Sequence, residues 1–247
     1  MGELSQIIKL DATDSTNLYL KGLMQSNSVR DYTTVITKSQ RKGRGQMGAA
    51  WQAEPGKNLT FSVLKRFEAM QITHQFNLNI GVSLAVYDVL KALDIPDLKV
   101  KWPNDIMSGS CKICGILIEN ILKGKQIQSS IIGIGLNVNQ ISFENLDKVA
   151  SLKSQTGRFF DLDELLSKLL ARLRFYLDDI ETKTIHQLLP SYERLLFRKD
   201  KPSTFRDTKD QLFMGFIRRI SAEGKLVVEL EDEILKEFDL KEVSLLY

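Results

Sequence analysis

Between Gln40 and Trp51 the chain reads QRKGRGQMGAAW, and Gly43-x-Gly45-x-x-Gly48 within it matches the glycine fingerprint of a dinucleotide-binding turn. Such a fingerprint makes a dinucleotide cradle only where it leaves a strand, opens a helix and meets an acidic residue about 20 positions later. The first condition holds, because Thr33-Thr-Val-Ile-Thr37 is β-branched and reads as a strand. The second fails. Ala49-Ala-Trp51 is followed by the turn signal Glu54-Pro-Gly-Lys57, and Leu59-Thr-Phe-Ser-Val63 then alternates apolar and polar residues as another strand. The glycine segment is therefore a long loop between two strands, and a doubly wound dinucleotide fold is excluded. What remains is a flexible loop carrying Arg41, Lys42 and Arg44, which on composition alone is a solvated basic loop.

A chain of 247 residues, 43% hydrophobic and 26% charged, can bury a full core as one large domain or as a main domain with an appendage. The net charge of +3 is too small for a dedicated nucleic-acid binder, so any strong positive potential must be local. No run approaches the ~18 apolar residues of a membrane span. The N-terminus lacks the basic and apolar blocks of a secretory signal, and Gln6 stands where a myristoylation motif requires Ser or Thr. A cytoplasmic protein is expected. Both cysteines lie in Cys111-Lys-Ile-Cys114. Zinc would need two further ligands, and His74 and His186 are not at finger-like spacing; a thioredoxin-type pair would open a helix, whereas 112–122 is β-rich. Buried free thiols are expected.

Asp14-Ser-Thr-Asn17 is a run of helix-capping residues before an apolar helix beginning at Leu18. Strands are predicted near 33–38 and 59–66, and a buried helix over 74–93. Leu98–Lys101, a turn at Ser108-Gly-Ser110, and two long apolar strands, 113–118 and 127–134, follow. The second ends in Gly133-Ile-Gly-Leu-Asn-Val-Asn139. A helix capped at Asp161 and supported by Glu164 runs to Leu177, and another is predicted over 183–197. From Lys199 the texture changes to short strands at 211–218, 225–230, 234–238 and 242–246, which argue for a small all-β unit. The expected domains are 1–197 and 198–247.

Four polar clusters thus fall at element ends, with Lys112 and Gly115 as a fifth feature. Each has a plain structural account alone, as an N-cap, a loop, a turn or a strand end. Loops this rich in Gly, Arg, Lys and Asn jointly suit the lining of a pocket. Together the motifs closely resemble those of the biotin–protein ligase family: DSTN, QxxGRG…W, KWPND, KxxGIL, GIGLNVN and a small terminal β unit, in that order over nearly the whole chain. The resemblance implies an α/β fold with a mixed sheet, akin to class II aminoacyl-tRNA synthetases, followed by a small Src-homology-like β-barrel. It implies that biotin and MgATP give biotinyl-5′-adenylate, and that a lysine of a biotin carboxyl carrier protein then takes the biotinyl group. It further implies no specific DNA binding, no membrane association, and a monomer or weak homodimer.

The residue types suit that chemistry. A carboxylate and an α-phosphate repel one another, and fixed cations at their meeting point relieve the repulsion. Arg44 is forked and rigid, Lys112 compact; these are the expected catalytic residues. Gly43, Gly45 and Gly48 allow backbone amides to approach an anion. By the resemblance, Ser15, Thr16, Asn17, Gln40 and Gln46 meet biotin beside them, and Gly115, Gly133 and Gly135 form a close-packed wall. Trp51, Gly48, Asn104 and Asn137 serve the nucleotide, with Trp51 offering adenine a flat face. Asp105 is the candidate for magnesium, although one carboxylate seldom holds it without substrate phosphates. Trp102 and Pro103 are expected to be scaffold.

The loop departs from many relatives in carrying Gln46, Met47 and Ala49 where further arginines are common, so charge at those places would have to come from Arg41 or Lys42. With DSTN beginning at Asp14, no preceding winged helix is expected. Two alternatives stay open. A lipoate–protein ligase shares the fold and adenylation logic, but its RRxxGGG-type motif is missing; a nucleic-acid or regulatory binding module would rest on the basic loop and terminal β unit.

Overall fold

The structure is a computed structural model, describing residues 6–26, 28–144 and 146–247. A seven-stranded mixed sheet runs in the order β1-β2-β3-β7-β6-β5-β4. Its strands are β1 (Ile7–Thr13), β2 (Thr34–Gln40), β3 (Leu59–Gln71), β4 (Leu98–Lys101), β5 (Asp105–Ser108), β6 (Cys111–Lys123) and β7 (Gln126–Leu136). β1 and β2 are parallel and the remaining neighbours antiparallel.

Period-two alternation gives the central strands two unlike faces. On β3 and β7, Leu59, Phe61, Val63, Ile132, Ile134 and Leu136 point into the main core. There they meet α2 (Gln75–Ala92), α4 (Leu162–Leu177) and α5 (Ile185–Glu193). Each such side chain fully withdrawn from water stabilises the fold by roughly 1.5–3 kcal/mol. The opposite face carries Thr60 and Ser62 on β3, Gly133 and Gly135 on β7, and Gly115, Leu117 and Glu119 on β6. Registers Thr60↔Gly135↔Gly115 and Ser62↔Gly133↔Leu117 set these side by side. Helix α1 (Thr16–Ser26) covers part of this face, packing Leu20 against Val35, Leu64 and Ile131.

Asp161 caps α4 as expected, accepting a hydrogen bond from the Glu164 amide at 2.8 Å, an interaction worth about 1 kcal/mol. Helix α5 ends at Glu193 rather than reaching 197. Pro190 lies within it, and the chain leaves through tight turns, Leu195 N–H to Tyr192 O and Leu196 N–H to Glu193 O. A short α3 (Leu152–Thr156), closed by Gly157 at φ 72°, lies between β7 and α4.

A second sheet, antiparallel throughout and five-stranded, has the order β11-β10-β9-β8-β12. It comprises β8 (Pro202–Asp207), β9 (Leu212–Ile220), β10 (Leu226–Glu229), β11 (Leu235–Phe238) and β12 (Val243–Leu246). Phe205, Phe213 and Phe238 stack with centroids 5.3 and 5.5 Å apart. Its buried residues Phe205, Ile217 and Leu226 are continuous with the main core. Among the described residues, no helix is long and apolar enough to cross a membrane.

Candidate active site

Both sheet faces meet their partners at the C-terminal end of β7, where glycines replace side chains. A small cavity of about 50 Å³ opens there. Ser15, Thr16, Asn17, Gln40, Arg44, Gly45, Gln46, Trp51, Asn104, Lys112, Gly115, Gly133 and Gly135 line it, as do Thr60 and Leu117. Most of the residues singled out from sequence are thereby brought together from α1, β2, the glycine loop, β6 and β7.

The glycine wall is a steric requirement. A Cβ on Gly135 would stand 2.3 Å from Trp51 Cε2, and one on Gly133 would stand 2.5 Å from Asn17 Oδ1. At Gly115 the nearest atoms would be Lys112 Cε and Nζ, both at 3.1 Å. The Trp51 indole therefore lies on the wall formed by Gly115 and Gly135, with its Nε1 buried and unpartnered. Sequence reasoning expected this ring to present a face to adenine; the structure places it within the cavity, where it fills much of the space.

The basic loop is a short hairpin. Gly45 N–H donates to Ala49 O at 2.6 Å and Trp51 N–H to Gly43 O at 3.0 Å, with Arg44 bridging to Ala50. Its tip is tightened by positive φ at Met47 (56°) and Gly48 (82°). Gly43 lies at the base, where a Cβ would collide with Trp51 O at 2.3 Å; Gly48 is at the exposed tip, and neither lines the cavity. Arg44 is exposed and has no carboxylate partner among the described residues. Lys42 is tied to Asp14 at 3.1 Å, which leaves Arg41 as the loop cation freer to compensate for Gln46.

Lys112 opens β6 and is fixed by its backbone, donating to Lys148 O at 2.8 Å and accepting from Ala150 N–H at 3.0 Å. Its ammonium pairs with Asp105 at 2.7 Å and lies 6.0 Å from the Trp51 ring centroid. With 32% and 18% of the two side chains exposed, the pair is only partly desolvated, and an incoming anion can compete for the lysine at modest cost. Asp105 lines an adjoining cavity of about 190 Å³ with Met47, Lys101, Trp102 and residues of the second sheet. Among the described residues, no group of three or more His, Cys, Asp or Glu is arranged to hold a metal.

Asn104 reaches the cavity while its amide nitrogen donates to Ile116 O. Asn137 lies outside that lining. Its Nδ2 donates to Ala150 O at 3.1 Å, and its Oδ1 is buried without a partner. Trp102 lines the adjoining cavity and donates from Nε1 to Gly224 O, in the turn between β9 and β10, at 2.9 Å. Both thiols are free, yet only Cys114 is buried, where burial pushes it above the usual thiol range; Cys111 is half-buried.

Sequence reasoning quoted Lys101 within KWPND without giving it a role, and did not single out Lys148 or Tyr247. The Tyr247 ring lies between the two ammonium groups, at 4.6 and 4.5 Å from its centroid. Burial holds the Lys101 ammonium below its ordinary range; Asp105 opposes this, and Lys112 and Lys148 add to it. It also missed Ser62 and Glu119. The signal for both was parity: Ser62 is two residues from Thr60, and Glu119 four from Gly115, on strands whose intervening residues are apolar.

Residues 10–137 match the model of the biotin/lipoate A/B protein ligase family. The chain belongs to this family. Its similarity to characterised ligase-family proteins extends beyond the matched segment. It is 28% identical to the bifunctional ligase/repressor BirA of Salmonella typhimurium, over 96% of this chain and 73% of that one. It is 29% identical to the biotin–[acetyl-CoA-carboxylase] ligase of Paracoccus denitrificans, over 68% of this chain and 73% of that one. The solved biotin protein ligase of Aquifex aeolicus in complex with biotin and ATP superposes with a TM-score of 0.80. It is 28% identical and covers 98% of this chain and 99% of its own. The mixed-sheet α/β architecture with a terminal β domain is thus the architecture of biotin protein ligases.

Proposed function

We propose that the protein is a biotin–protein ligase. It joins biotin to ATP as biotinyl-5′-adenylate with release of pyrophosphate, then passes the biotinyl group to a lysine amine of a biotin carboxyl carrier protein. The observation that carries this reading is the convergence on one cavity of a glycine wall, neutral hydrogen-bonding side chains and two cations, Lys112 and Arg44. The ligand complex of the Aquifex aeolicus relative supports it.

In the first step a biotin carboxylate oxygen attacks the α-phosphorus and pyrophosphate departs. Lys112 sits at the sheet end and Arg44 on the hairpin opposite, so a carboxylate and a phosphate between them would each meet a cation. Thr16, Asn17, Gln40 and Ser15 take the ring end of biotin, with Gly45 and Gln46 of the hairpin along its length, and Gly115, Gly133 and Gly135 leave room for it. Trp51 and Asn104 serve the nucleotide once the indole has moved off the wall. Asn137 acts behind them by holding Ala150. Magnesium is assigned to ATP's phosphates, with Asp105 as the nearest protein carboxylate. In the second step the carrier amine attacks the acyl carbon and AMP leaves. Residues 1–197 form the catalytic domain in this proposal and 198–247 the small β domain; the protein works in the cytoplasm as a monomer or weak homodimer, without specific DNA binding.

The test is to incubate the protein with ATP, magnesium, biotin and a biotin carboxyl carrier domain, and to weigh the carrier. One biotinyl group on one lysine, dependent on ATP, is the expected result. An unmodified carrier that a known biotin ligase modifies under the same conditions would refute the reading.

A further inference from the structure

Asn17 is 4% exposed, and each end of its side-chain amide is held by a different partner. Its Nδ2 donates to Glu119 Oε2 at 2.6 Å, with Leu117 O more distant at 3.5 Å. Its Oδ1 lies 2.5 Å from the hydroxyl of Ser62, which is fully buried. Ser62 Oγ is also 2.7 Å from Thr16 Oγ1, and Gln40 Oε1 accepts from the Thr16 amide at 2.8 Å.

An asparagine amide is nearly symmetric in shape, so its neighbours decide which end faces a ligand. A carboxylate without its proton can only accept; Glu119 therefore takes the NH₂ end. A carbonyl oxygen can only accept; the Ser62 hydroxyl, with its single proton, donates to Oδ1. Glu119 therefore imposes the orientation, and the Ser62 hydroxyl, which can donate or accept, completes it by giving its proton to Oδ1. The oxygen is left against Gly133 on the cavity wall, since a Cβ there would meet Oδ1 before the nitrogen. A carbonyl oxygen has two lone pairs, and Ser62 occupies one.

We propose, resting on the biotin reading above, that Glu119 and Ser62 are positioning residues. They lock Asn17 with its oxygen toward the cavity, and the site thereby selects a ligand head that carries an N–H. A cyclic urea satisfies that acceptor, whereas a dithiolane ring leaves it unpaired. Sites built around a buried polar partner reject analogues that lack the matching group far more strongly than apolar pockets reject a missing methylene. In this chain the network would set the choice between a urea head and a dithiolane ring.

The experiment measures pyrophosphate exchange with biotin and with lipoate for the native protein, Glu119→Gln and Ser62→Ala. It is paired with NMR of the Asn17 side-chain amide in the ligand-free proteins. Gln at 119 keeps the shape but can donate or accept, so it no longer dictates the Asn17 orientation. Both variants should raise KM for biotin about tenfold, the loss of roughly one hydrogen bond, with kcat unchanged and the melting temperature retained. The Asn17 amide resonances should shift in Glu119→Gln. A native protein specific for biotin whose two variants keep the native KM overturns the positioning role alone, as does a fall in kcat at constant KM. A native protein that exchanges with lipoate and not biotin overturns the biotin reading itself, and the selection with it.

Discussion

Lys112 owes its place to the backbone. An isolated bridge to Val149, with hydrogen bonds to Lys148 O and from Ala150 N–H, holds its peptide on one side and β5 pairs with it on the other, so the ammonium is presented to the cavity before any ligand arrives. Asp105 then holds it at 2.7 Å. In the proposed reaction this preorganised cation would sit where charge crowds, between the biotin carboxylate and the α-phosphate. Lys112→Ala should lower adenylate formation by about 10²-fold or more, measured as biotin-dependent pyrophosphate release, and should lower transfer from ready-made biotinyl-adenylate less. Equal losses in both half-reactions would remove the adenylation role. Gln46 poses the opposite case, a neutral side chain lining the cavity. Gln46→Arg should slow dissociation of biotinyl-adenylate; an unchanged rate would point to Arg41, whose replacement by Ala should then release the intermediate. Motif residues such as Thr16, Gln40 and Lys112 were legible because they sit at element ends in an unusual polar cluster. Ser62 and Glu119 were not. Each lies inside a long strand rather than at an element end, and only the register of three strands shows that they converge on Asn17.

The glycine hairpin between β2 and β3 lines the cavity through Arg44, Gly45, Gln46 and Trp51. Its residues are largely exposed at the tip, and its ladder consists of few hydrogen bonds. Fixing glycine backbone is entropically costly, so a new contact is needed to hold it. Trp51, at its base, covers Gly115 and Gly135 and reduces the cavity to about 50 Å³, room for a few waters rather than a bicyclic ring. On the proposed reading the indole moves off the glycine wall and the hairpin settles on the ligand. Amide hydrogen exchange across 40–51 should therefore slow when biotin is added; exchange unchanged in that segment, with binding confirmed, would contradict the account. Sequence patterns exposed the loop and its two strands because β-branched and alternating residues bracket a turn signal. They did not expose β1 or β8. β1 is an edge strand with little buried surface, and β8 begins at Pro202, which carries no amide hydrogen for a ladder. The helix expected over 183–197 was overextended because apolar spacing continues past Glu193, whereas Pro190 and the closing turns end it.

At the scale of the whole molecule, the second sheet is joined to the loop that carries Asn104 and Asp105. Trp102 reaches Gly224 O, in the turn between β9 and β10, at 2.9 Å, while α5 and the segment after it hold the same loop and β4 through Tyr192 Oη to Pro103 O at 3.1 Å and Phe197 N–H to Val100 O at 2.8 Å. The adjoining cavity has walls from both sheets. Composition foretold the change of texture after Lys199, since short strands and charged turns are local signals; it could not foretell this docking, which depends on single long-range contacts. In the proposed function this assembly activates biotin. The decisive measurement is exchange of labelled pyrophosphate into ATP by the native protein with magnesium, no carrier, and either biotin or lipoate. Exchange with biotin and none with lipoate is expected. Exchange driven by lipoate, or by neither acid, would contradict it.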